Sequence, residues 1–131
     1  MRYETRKVKH KIVHVPDQEL DVALKTKLRH LKIYFGKPKS QISASQRDNG
    51  LKGLLVRHRN DRFFIIVDFV HAFHQVTRQM IAEVFPAIME SRFDICFVEL
   101  GGKKVIPIGF RTSSYLFEMY ATKKLDPQLN A

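Results

Sequence analysis

The chain has 131 residues, 23 Lys and Arg against 13 Asp and Glu, one cysteine, no tryptophan and a formal charge of +10. With 44% apolar residues it can fill one core, which excludes a disordered chain and a two-domain enzyme. A single domain over 1–125 with a flexible tail at 126–131 is expected, and Cys96 alone permits no internal disulfide, while nothing indicates a cofactor.

Residues 8–15 alternate as a strand, with Val13 and Val15 on one face and His10, Ile12 and His14 on the other. Pro16 ends it. Asp17 then caps a helix whose Leu20, Leu24, Leu28, Leu31 and Phe35 form one stripe, with Glu19 and Asp21 in its positively polarised first turn. Gly36 and Pro38 stop that helix. Residues 37–50 are polar and aperiodic, and predict a surface loop.

Two β-rich runs, 52–58 and 62–69, flank Asn60-Asp61 as a hairpin. A helical segment over 75–92 is predicted from Val76, Met80, Val84 and Ile88, with a kink or break at Pro86. Ile95–Leu100 and Val105–Phe110 flank Gly101-Gly102, a second hairpin signal that pairs Glu99 with Lys104 and Val98 with Val105. Pro107 should place its strand at an edge or fall where no donor is needed. A last helix, Ser113 to Lys124, has Ser113 as cap and Leu116, Met119 and Tyr120 on one side.

This order, β-α-β-β-α-β followed by β-α, predicts an α+β protein with a ferredoxin-like (split β-α-β) core. Such a core leaves one sheet face without a helix. Counting outward from Asn60-Asp61 puts Arg57, Arg59, Arg62, Phe64 and Ile66 on that face, with His14 expected from the neighbouring first strand. Arginines neutralise phosphates while an exposed aromatic stacks on a base, so this combination suits a single-stranded nucleic acid. The last helix would remove the stacking platform if it lay across Phe64 and Ile66. Residues 62–69 share Arg62, Phe64, Val67 and Phe69 with the RNA-recognition-motif consensus but depart from it at Phe63, Ile65 and Ile66. No family is assigned on that basis.

The charge is uneven: residues 1–39 carry +7, residues 40–74 carry +2 and residues 75–131 carry +1. Lys9 and Lys11 lie in the N-terminal arm, and Lys25, Arg29 and Lys32 form a basic ridge about 10 Å long opposite the leucine stripe of the first helix. A nucleic-acid partner, RNA or single-stranded DNA before duplex DNA, is the leading expectation, with a regulatory or protective use.

Two alternatives remain. Asp68, His71 and His74 form Asp-x-x-His-x-x-His, which suits zinc, manganese or iron and hence a metal-dependent nuclease. An assembly subunit, such as a homodimer joined through the Pro107 edge or an acidic partner bound by the charge, is the other. Cys96 reads as a buried apolar residue and Gly101-Gly102-Lys103-Lys104 as a turn without P-loop spacing. No apolar run approaches the roughly 20 residues of a membrane span, and the start, Met1 to Lys7, has no signal-peptide core, so a cytoplasmic protein without a membrane partner is expected.

Overall fold

A computed structural model describes residues 1–36, 60 and 72–125. The chain begins with an antiparallel hairpin, β1 (Tyr3–Val8) and β2 (Lys11–Pro16), and continues into the helix α1 (Gln18–Phe35). After two short helices, α2 (Ala72–Gln75) and α3 (Arg78–Ala82), come two 3-10 segments, Pro86–Met89 and Ser91–Cys96. A second hairpin, β3 (Val98–Leu100) and β4 (Lys103–Val105), precedes α4 (Ser113–Tyr120), which runs into a π-helical turn at Ala121–Leu125. The fold is mixed α and β, and its described strands form two separate two-stranded antiparallel sheets.

The helix α1 follows its sequence signals at both ends. The Asp17 carboxylate accepts from Leu20 N at 2.7 Å, and Gly36, at φ +75°, ends the helix by donating to Lys32 O. Leu20, Leu24 and Leu31 are buried and Leu28 and Phe35 pack against the same core. Each fully buried leucine stabilises the fold by about 1.5–3 kcal/mol. Tyr115 of α4 closes the other side of this packing, because its hydroxyl reaches the Leu31 and Gly36 carbonyls at the end of α1. Burial pushes that phenol up to about 12.

The second hairpin has the expected register, Val98 opposite Val105 and Glu99 opposite Lys104. Gly101 and Gly102 both lie at positive φ, +57° and +77°, where a two-residue turn of this kind favours glycine. Its strands are shorter than expected: residues 95–96 belong to a 3-10 segment, and Pro107 lies beyond β4 and is fully buried. Pro107 therefore marks no open strand edge. Its carbonyl accepts from Ser113 Oγ at 2.5 Å, so Ser113 anchors the loop before α4 and does not cap the helix; Thr112 holds the cap position without a side-chain bond.

The predicted helix over 75–92 is broken in more places than Pro86 alone accounts for. Thr77 caps α3 by accepting from Met80 N, and Pro86 opens a 3-10 turn, where its missing N–H costs nothing. Arg78 holds these pieces together. Its side chain donates to Ile88 O at 2.9 Å, Glu90 O at 2.8 Å and Asp94 Oδ1 at 2.5 Å, and lies over the Phe97 ring. A run of short turns leaves backbone carbonyls without helical partners, and this arginine satisfies two of them.

The predicted first strand is half of a hairpin. β2 pairs with β1, and on its other edge His14 N donates to Ile108 O at 2.8 Å. The strand pair expected over 52–69, which a ferredoxin-like core requires, lies outside the described residues apart from Asn60, as do the loop over 37–50 and the tail at 126–131. No helix among the described residues is long and apolar enough to cross a membrane.

Candidate nucleic-acid interface

The first hairpin and α1 meet around one residue. Asp17 accepts from Arg2 N at 2.9 Å as well as from Leu20 N, and its own N–H donates to Arg2 O at 2.8 Å. It thus ties the open end of the β1–β2 hairpin to the start of α1. Those two backbone donors, Leu20 first, hold its carboxyl below the usual carboxylate range.

Cross-strand pairing sorts the hairpin into two faces. Tyr3, Thr5, Lys7, Ile12 and His14 share one, and Glu4, Arg6, Val8, Lys11, Val13 and Val15 share the other. His14 is 3% exposed, its ring edge-on to Tyr3 and to His74 at 5.3 and 6.2 Å between centroids. Burial lowers its pKa. His14 therefore belongs to the interior, while Ile12 on the same face and His10 stay exposed, so the expected histidine face is buried only at its base. Every residue of β1, by contrast, is exposed.

Lys9, Lys11, Lys25, Arg29 and Lys32 are all exposed. On α1, Val22, Arg29 and Ile33 line up on the solvent side, with Lys25 and Lys32 beside them. Arg57, Arg59, Arg62 and Phe64 lie outside the described residues, so the stacking platform and its covering by α4 do too. Of the metal trio, Asp68 and His71 also lie outside, and His74 sits beside His14. Among the described residues no group of three or more His, Cys, Asp or Glu is placed to hold a metal. Cys96 is buried, and burial raises its thiol to about 11, which keeps it protonated near neutrality.

The electrostatics divide along the chain. Glu19 pairs with the N-terminal amine, Glu4 with Arg6 and Asp21 with Arg111. The Arg111 guanidinium holds the Asp21 carboxyl down. Further on, Glu83, Glu90, Asp94 and Glu99 pair with Lys124, Arg92, Arg78 and Lys104. Among the described residues, only Asp17, which caps α1, and Glu118 lie outside these pairs. The described lysines and arginines without an ion pair are Arg2, Lys7, Lys9, Lys11, Lys25, Lys27, Arg29 and Lys32, joined in the second half only by Lys103 and Lys123. Among the described residues the surplus charge is thus concentrated on the first hairpin and α1.

Sequence reasoning missed two parts of this site. β1 has Tyr3, Thr5 and Val8 as strand formers, but Lys9-His10 contains none of the usual turn residues, so no local signal marks the hairpin. Arg78 and Asp94 are 16 positions apart, beyond any local periodicity. No family, curated protein or solved structure matches this chain.

Proposed function

We propose that the protein binds nucleic acid, with the β1–β2 hairpin and the outer face of α1 neutralising backbone phosphates. The observation that carries this reading is the segregation of unpaired cations. Among the described residues of the second half five of seven lysines and arginines make an ion pair, whereas in residues 2–32 only Arg6 of nine does. A surface of unbalanced, solvated lysines and arginines gains affinity for a polyanion by releasing its condensed counterions.

The base-stacking component, Phe64 among Arg57, Arg59 and Arg62 on a ferredoxin-like sheet, is supported by sequence pattern alone. With it goes the preference for RNA or single strands.

Fluorescence anisotropy of a labelled single-stranded RNA 20-mer, titrated at several salt concentrations, tests the proposal. Affinity should fall steeply with salt. The triple variant Lys25→Gln, Arg29→Gln, Lys32→Gln should lower affinity at least tenfold and flatten the salt slope by about one for each phosphate that is no longer neutralised. Absent or salt-independent binding by the native protein would overturn the reading.

A further inference from the structure

Lys9 has φ +57°, the only non-glycine residue at positive φ among the described residues. In the second hairpin glycine fills both such positions. A lysine in a left-handed turn is held there against its own steric preference, and the side chain it keeps is a cation at the extreme tip of the ribbon. Arg6, Lys7, His10 and Lys11 surround that tip, with Glu4 the one acid on the ribbon.

The ribbon's base, in contrast, is fixed. Asp17 clamps its open end, His14 N bonds Ile108 O, and Tyr3 packs edge-on against His14 and Phe110. Gly109 approaches so closely that a β-carbon there would overlap the His14 carbonyl. Among the described residues the outer edge of β1 has no strand beside it, and six exposed residues extend from the clamp to the turn. Arg6 and Lys7 on that edge discourage pairing with another protein strand.

A two-stranded antiparallel ribbon fits the major groove of B-form DNA, about 12 Å wide, and a six-residue strand spans roughly 20 Å of it. We propose that β1–β2 is an arm that enters the major groove of double-stranded DNA, Lys9 leading and Arg6, Lys7 and Lys11 meeting phosphates or base edges on either side. This rests on the nucleic-acid reading above and adds a duplex contact to it. The A-form groove of duplex RNA is too deep and narrow for the same insertion.

The test compares three labelled 20-mers of one sequence, duplex DNA, duplex RNA and single-stranded DNA, with native protein and Lys9→Gly. Native protein should bind duplex DNA at least tenfold more tightly than duplex RNA, and should displace methyl green from the major groove but not netropsin from the minor. Lys9→Gly should melt at a higher temperature yet lose several-fold more affinity for duplex DNA than for single-stranded DNA, with a shallower salt slope on the duplex. Equal binding to both duplexes, displacement of netropsin, or unchanged duplex affinity in Lys9→Gly would overturn the arm while leaving single-strand binding standing. Failure to bind any of the three would overturn both readings.

Discussion

The two hairpins are built from the same pattern and put to opposite ends. Around Gly101-Gly102 the turn is unstrained, Glu99 and Lys104 face each other across the strands, and Val98 and Val105 are buried. Around Lys9-His10 a lysine occupies a position that favours glycine, Lys7, Lys9 and Lys11 make no ion pair, and β1 is exposed throughout. The first conformation costs little and serves packing. The second retains strain and unbalanced charge at a solvated tip, which stability alone does not explain.

Breaking the first hairpin's seat should have the largest effect. In Gly109→Ala the new β-carbon meets the His14 carbonyl, and the backbone there has φ +117°, which suits only glycine. A loss on the order of 4 kcal/mol is expected, read as a large fall in the melting temperature. If Gly109→Ala proves neutral, the ribbon's base does not belong to the core.

Next is Arg78→Ala, on the side of the second hairpin. It leaves the Ile88 and Glu90 carbonyls without their donor and removes a buried stem from beside Phe97. Asp94 stays solvated, so the loss should be about 3 kcal/mol, measured by urea denaturation. Nucleic-acid affinity below the melting transition should not change. A drop in affinity there would mean that the paired and unpaired halves are not separate in function.

A reciprocal exchange sharpens the comparison directly. Lys9→Gly should stabilise by about 1 kcal/mol and Gly101→Lys destabilise by a similar amount, since no atom crowds either turn glycine and only φ is at issue. Matching magnitudes of opposite sign in thermal melts would show that the first turn position, at φ +57° in both hairpins, carries the same steric cost in each.

The smallest effect is a pH slope. Burial lowers the His14 pKa in the folded state below its ordinary value of about 6.5, so in that range the unfolded chain binds the proton more readily. Stability should therefore fall as pH drops through about 6.5, the loss being complete only below the lowered folded value. His14→Phe should flatten this part of the dependence of melting temperature on pH.

Legibility followed the range of the interactions. α1 could be read to within a residue at both ends because its cap, stripe and stop are all local. The Gly101-Gly102 register could be read because glycine pairs announce their turn. The region 75–96 could not, since its breaks depend on Arg78 reaching 10 to 16 residues onward. For the candidate site, the cations Lys9, Lys11, Lys25, Arg29 and Lys32 were found from charge alone. His14 was misplaced because alternation sorts a strand into faces but does not show how far along the strand the core reaches.

By itself, then, the sequence determined that the charge is N-terminal, that α1 buries one stripe and shows a basic ridge, and that a glycine hairpin lies near residue 101. Tertiary structure decided which cations are matched by acids and which remain, because ion pairs such as Asp21 with Arg111 join residues 90 positions apart. It also decided that residues 3–16 form a hairpin standing on the core. Turn conformation at Lys9 follows from the register that pairs Val8 with Lys11 across a two-residue turn, and no local preference of lysine would have chosen it.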